Sequence, residues 1–160
     1  MDDGKEDYPR LENNLKDVTD LNTFSLDQTK KGWYIRLEKA SKRLEKVLGK
    51  PTVFNKLLYF TTYFYNDKGD PCSVAGDPKL YVVEYLSGGG ALVLDDYLKG
   101  KPSERSRIIG EGVPSSPVIT ANMKGKDLVV IGTTTGQVYS AKVLSPTTAK
   151  EILYWREVIP

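Results

Sequence analysis

Histidine is absent from this sequence, and cysteine occurs once. The first absence removes the commonest general base and the commonest metal ligand. The second excludes a cysteine zinc site and any disulfide closed within the chain. Together they leave almost no room for a catalytic triad or a transition-metal centre. A surplus of charge of one sign is missing too: 23 Lys and Arg face 21 Asp and Glu, for a net charge of +2. No bulk charge therefore recruits nucleic acid or anionic lipid. Long apolar runs are also lacking. Leu128 to Ile131 falls far short of the roughly 20 residues that span a bilayer as a helix. The opening Met1 to Arg10 is acidic, with no apolar stretch behind it, unlike a secretory signal. Export would need a signal upstream of Met1.

What is present suits a soluble globular protein. Hydrophobic residues make up 39% and charged residues 28% of 160 positions, enough for one ordinary domain burying roughly 70% of its unfolded surface. The first thirty residues are polar and lack periodicity, with Asn13, Asn14, Asp17, Asp20 and Asn22 between isolated Leu and Val. They read as an arm or loop docked on something larger. Gly32 to Leu37 is aromatic and β-branched and reads as a short strand. Lys39 to Lys50 is the one helix-like window: Ala40, Leu44, Val47 and Leu48 fall at helical spacing, and Gly49 and Pro51 end it.

Beyond Pro51 strands follow one another. Pro51 to Phe54 is short. Leu57 to Tyr65 places Tyr59, Thr61, Tyr63 and Tyr65 on one face and Leu58, Phe60, Thr62 and Phe64 on the other. Both faces are largely apolar or aromatic, which predicts a strand sandwiched between layers. Asn66 to Pro78 reads as a loop, Leu80 to Leu86 as a strand, Ser87 to Gly90 as a turn and Ala91 to Leu94 as an outer strand. Asp95 to Gly112 reads as a long polar connection. Strands then recur at Pro117 to Ala121, Leu128 to Gly132, Gln137 to Val143 and Ile152 to Val158.

The two series share an order. Lys50 to Phe54 answers Ser116 to Ile119, Leu57 to Thr62 answers Leu128 to Thr133, and Lys79 to Val83 answers Gln137 to Ala141. Four antiparallel strands repeated at about 40–60 residues is the habit of a β-propeller blade. A lone blade has two apolar faces and needs neighbours on both. The expected fold is therefore all-β: antiparallel four-stranded blades, about two of them, forming the C-terminal part of a β-propeller. The blades span approximately 50–95 and 115–160 within a region 31–160, behind the irregular arm 1–30. A freestanding small β-sandwich binding module is the plainer alternative.

Few motifs carry chemistry. The glycine turns at Gly132 to Gly136 and Ser87 to Gly90 feed strands, not a helix N-terminus, and lack the Lys-Ser/Thr of a phosphate loop. In Asn66 to Asp70, Lys68 stands where a calcium loop requires an oxygen donor, and Asp2 to Asp7 fits no better. Asp95 and Asp96, being adjacent on a strand, point to opposite faces and make a poor acid pair. Cys72, in Asp70-Pro71-Cys72, has no histidine to activate it; the residues alone leave nucleophile, free thiol and half-disulfide open. No cofactor is implied. The strand aromatics interleave with Leu, Val and Thr, the pattern of packing rather than base or sugar stacking.

The succession Lys31-Gly32-Trp33-Tyr34-Ile35, Val47-Leu48-Gly49-Lys50-Pro51-Thr52-Val53, Tyr59-Phe60-Thr61-Thr62 and Asp70-Pro71-Cys72 resembles the C-terminal propeller of the PilY-type pilus biogenesis factors. Gly110 to Val118, the Gly132 to Tyr139 hairpin and Ile152 to Glu157 fit the same pattern, so the resemblance covers roughly residues 15–160. It implies an exported, non-catalytic propeller protein of type IV pili, in the periplasm, at the outer surface or at the pilus tip. Such proteins prime assembly with minor pilins, oppose retraction and mediate adhesion. For Cys72 it implies a disulfide to a partner outside these 160 residues. The family's calcium loop has no matching position here. Packing between blades is expected of Tyr59, Phe60, Phe64, Tyr81, Val130 and Tyr139. The expected partners are the remaining blades or a second chain completing the propeller. The loops Asn66 to Pro78 and Asp95 to Gly112 are the candidates for partner contact. The enzyme alternative is a fragment of a quinone-cofactor propeller dehydrogenase, which would need calcium-ligating carboxylates that are not found here.

Overall fold

The computed structural model describes residues 14–20, 29–37, 45–65, 76–92, 104–120 and 127–142. Among them the regular elements are strands: β1 Leu15–Asp17, β2 Gly32–Tyr34, β3 Glu45–Val47, β4 Thr52–Phe54, β5 Leu57–Phe64, β6 Asp77–Glu84, β7 Ser106–Ile108, β8 Val118–Thr120, β9 Leu128–Gly132 and β10 Val138–Lys142. The all-β class follows from the sequence directly, since β-branched and aromatic side chains at period two favour a pleated, half-buried surface.

β5 and β6 form the centre of the first sheet. They pair antiparallel over their whole length, Leu57 opposite Glu84 and Phe64 opposite Asp77. β7 lies antiparallel on the far edge of β6, with Ser106 opposite Tyr81. The other edge of β5 is shared. β4 covers Leu57 to Tyr59 and β3 covers Thr62 to Phe64, so residues 45–54 make one interrupted edge strand. The β4–β5 hairpin turns on Asn55 and Lys56, both at positive φ (50° and 63°), as the tightest hairpin turn matching the strand twist requires. The interruption has a physical cause. At Gly49 a Cβ would meet Ser116 Cα at 3.0 Å, so a larger residue there would push the Ser116 segment away. That segment is bonded in place: the Lys50 amide donates to Ser116 Oγ (2.9 Å), Thr61 Oγ1 to the Ser115 carbonyl (2.9 Å) and Thr52 Oγ1 to the Pro117 carbonyl (3.0 Å).

Ser115 leads into the second sheet, β8-β9-β10, which is antiparallel throughout. Ser115 also closes on it, its amide donating to the Gly132 carbonyl (2.8 Å) while the Gly132 amide donates to Ser115 Oγ (3.1 Å). The two sheets pack face to face. Leu57, Tyr59, Leu80 and Val82 from the first meet Val129 and Ile131 from the second, with Leu92 and Ile109 in the same buried cluster. The strand residues among these fall on alternate positions of β5, β6 and β9, so the period-two pattern is what aims them together.

The first sheet's other face carries Leu58, Phe60, Tyr81 and Val83, covered by Trp33, Ile35 and Leu37. β1 and β2, which pair in parallel, bring Trp33 and Ile35 to it. Trp33 is held by its indole N–H donating to the Tyr85 carbonyl (2.9 Å). β5 is thus sandwiched between layers, as its two apolar faces predict.

Several sequence expectations are corrected. The helix-like window does not hold over its described part: Glu45–Val47 is strand β3. Val47 and Leu48 are 45% and 53% exposed, so their helical spacing marks no buried stripe. Leu15–Asp17 is a strand within the stretch read as an irregular arm. β6 begins at Asp77, so buried Pro78 belongs to the strand rather than to the preceding loop. Its carbonyl accepts from the Ile109 amide (3.0 Å), while its missing N–H removes the reciprocal bond of that pair. Over its described part, Ala91 and Leu92, the segment read as an outer strand is not a regular strand of the first sheet. Gly90 and Leu92 make isolated bridges to Val83 and Glu104, and the edge along Lys79 to Tyr81 is taken by β7, from the segment read as connection. Ile152 to Val158 lies outside the described residues. Among the described residues neither sheet closes on itself.

Candidate functional site

The residues expected to pack between blades divide over three surfaces. Tyr59 and Tyr139 both lie between the two sheets, Tyr59 fully buried and Tyr139 at the margin of its cluster. Phe60 and Tyr81 stack on the opposite face of the first sheet, ring centroids 4.8 Å apart and planes within 11°. Phe64 is half-buried at the end of β5, with Lys79 Nζ 4.8 Å from its ring centroid. Val130 is half-buried on the outward face of the second sheet, opposite Val118. Cys72, Asp95 and Asp96, the candidate calcium stretches and most of the two candidate contact loops lie outside the described residues.

The outward face of the second sheet carries valines beside the polar Thr120, Ser140 and Lys142. Val118, Val130 and Val138 point the same way by register, and Val118 and Val138 are 58% and 72% exposed. The inward face of the same strands buries Val129 and Ile131 to 1% and 0%. One sheet therefore has an apolar side that is covered and a mixed side, with exposed valines, that faces out.

A second feature is polar. Thr19, Asp20 and the stretch Ile35 to Leu37 stand away from Glu45, Lys79, Tyr81 and Ser106, leaving two adjoining open hollows of about 660 Å³ and 470 Å³. Arg105 lines the smaller one and is only 8% exposed. Its Nε donates to the Gly88 carbonyl (2.9 Å) and its Nη1 to the Thr19 carbonyl (3.0 Å), but its buried Nη2 has no hydrogen-bond partner. Burial lowers the affinity of this guanidinium for its proton, and the nearby Tyr81 and Asp20 oppose that shift. The other cations of the cleft are neutralised. Lys79 Nζ donates to Glu45 Oε2 (2.9 Å), Thr62 Oγ1 donates to Glu45 Oε1 (2.5 Å), and Arg36 Nε sits 3.3 Å from Asp17 Oδ2. Hydrogen bonds from Thr19 hold the Asp17 carboxyl below its ordinary range. Burial raises the Tyr81 hydroxyl well above the usual tyrosine value, and the Glu45 charge adds to the rise.

The cleft escapes sequence reasoning because its members are distant in the chain. Arg105 reaches Thr19 across 86 positions, and its own neighbourhood, Ser103 to Arg107, reads as a polar connection. Among the described residues no group of three or more His, Cys, Asp or Glu side chains is placed to hold a metal ion, and no helix is long and apolar enough to cross a membrane. The chain matches no protein-family model, no curated protein and no solved structure.

Proposed function

We propose that the chain is a non-catalytic segment of a β-propeller that works by protein contact, the C-terminal blades of a type IV pilus assembly and tip adhesin protein. The observation that supports the propeller part is the strand order. From β4 to β7 in the first sheet, whose edge is shared by β3 and β4, and from β8 to β10 in the second, consecutive strands are hydrogen-bonded neighbours, the connectivity of propeller blades rather than of a Greek-key sandwich. The outward valines of the second sheet are what a further blade or a second chain would cover. The pilus part rests on the motif succession running from Lys31 to Glu157. Minor pilins and the pilus tip are its partners in this reading, and export to the periplasm or outer surface follows from it.

The test is to label sheared pili with antibodies raised against this chain. Label at pilus ends is the expected result, and label confined to the cytoplasm overturns the reading. A freestanding two-sheet binding module is the second reading, favoured by the face-to-face packing of the sheets. The two divide on association: a propeller segment associates as its concentration rises, whereas a complete small sandwich melts as a monomer at a concentration-independent temperature. The quinone-dehydrogenase alternative has no supporting observation among the described residues.

A further inference from the structure

The cleft holds a buried guanidinium with one unspent donor, Arg105 Nη2. A buried polar group without a partner is costly, and more so when it is charged, so such a donor stands ready for an acceptor brought by a ligand. The smaller hollow, about 470 Å³, falls within the roughly 300–1,000 Å³ of small-molecule sites. Arg36 and Lys79 are already committed to Asp17 and Glu45. Also lining the cleft are Arg105, whose unpartnered Nη2 is buried, the exposed Glu104 and the apolar side chains of Ile35 and Leu37.

These leftovers discriminate between ligand charges. A simple anion would meet Arg105 but would be repelled by Glu104. A simple cation would meet the carboxylates but would face a buried guanidinium. A molecule carrying both signs a few bonds apart satisfies both. We propose that this cleft binds an α-amino acid with an aliphatic side chain, its carboxylate on Arg105 Nη2, its ammonium beside Glu104 and its side chain against Ile35 and Leu37. Binding requires the Arg105 side chain, which lines the hollow, to turn its buried Nη2 toward the ligand. The proposal does not depend on the pilus reading.

The test titrates the full 160-residue chain calorimetrically with L-leucine, N-acetyl-L-leucine and L-leucinamide. Leucine binds with one-to-one stoichiometry, and each blocked derivative binds at least about tenfold more weakly, because each loses one charge-assisted hydrogen bond. Glu104→Gln, at an exposed position, weakens leucine about threefold and leaves N-acetylleucine no weaker. Arg105→Lys weakens leucine and N-acetylleucine but not leucinamide. Should Arg105→Lys lose its β-sheet circular dichroism, the three ligands and Glu104→Gln decide alone. Absence of leucine binding, equal affinity for the three compounds, or unchanged leucine affinity in Glu104→Gln overturns the proposal.

Discussion

β5 and β6 run for 8 residues each and bury side chains toward both faces of their sheet, whereas β9 and β10 run for 5 and bury toward one. On β6, Leu80 and Val83 point in opposite directions and both are 0% exposed. On the second sheet, Val129 is 1% exposed and Val118, a residue of the same kind, is 58% exposed. Side-chain type and strand period are the same in the two sheets. The difference is a third layer: Trp33, Ile35 and Leu37 close the first sheet's second face, and none of the described residues closes the corresponding face of the second. Mutational cost in this protein should therefore follow the layer a side chain meets, not the β-propensity of its strand.

The largest effect expected from this contrast is at Leu80. Leu80→Ala removes a side chain buried between the sheets and should cost about 2–5 kcal/mol in urea unfolding, through lost transfer energy and the cavity left behind. Val118→Ala, on the outward face, should cost less than about 1 kcal/mol. Similar losses at both positions would show that the second sheet's outer face is covered in solution, and the contrast would break.

Gly88 tests the third layer itself. It sits at φ +66°, and a Cβ there would lie 2.7 Å from Trp33 Cδ2 and 3.0 Å from Val18 Cγ2. Gly88→Ala combines an unfavourable left-handed backbone with overpacking, and should destabilise by about 1–3 kcal/mol. Because the clash is with Trp33, the change should also alter the protein's tryptophan emission before global unfolding. An unfolding curve that shifts with the fluorescence baseline intact would place the loss elsewhere.

The tyrosines probe both faces of the first sheet at once. Tyr59, between the sheets, and Tyr81, beneath Trp33, are each held by burial above the ordinary value of 10.0, with Asp127 adding to the shift for Tyr59 and Glu45 for Tyr81. A raised folded-state value favours the protonated form in the native protein. Stability is then fully present below pH 10 and is lost as the pH climbs above it, where the unfolded chain ionises and the folded one resists. Phenolate absorbance should rise in two stages, exposed tyrosines first and the buried pair together with unfolding. A Tyr81→Phe variant should soften the alkaline loss, and titration of every tyrosine in one step near pH 10 would contradict this.

How far the sequence is legible follows the same division. Leu57 to Tyr65 and Leu128 to Gly132 are readable as strands because alternation there coincides with burial, and the two-sided character of β5 is visible in its aromatic content alone. β3 misleads because Val47 and Leu48 happen to fall at helical spacing with Leu44, yet both point outward. β7 is hidden for the opposite reason. Ser106-Arg107-Ile108 has no apolar alternation, since it is an edge held by the backbone of Lys79 to Tyr81 rather than by its side chains. The cleft is illegible in principle from local pattern. Its Arg105 is defined by carbonyls of Gly88 and Thr19, which only the packing of β1 and β2 against the first sheet brings together.

The smallest expected effect bears most directly on what the open face is for. Val138 is 72% exposed on β10, so Val138→Thr keeps a β-branched side chain and should change stability by no more than about 0.5 kcal/mol. If the outward valines of the second sheet are where another sheet packs, the same substitution should weaken association measurably in sedimentation velocity, because a hydroxyl then has to be buried without a partner. An unchanged melt with weakened association ties the face to a partner layer. Unchanged association would make the exposed valines an ordinary solvated surface, and the asymmetry between the two sheets would then be complete within this chain.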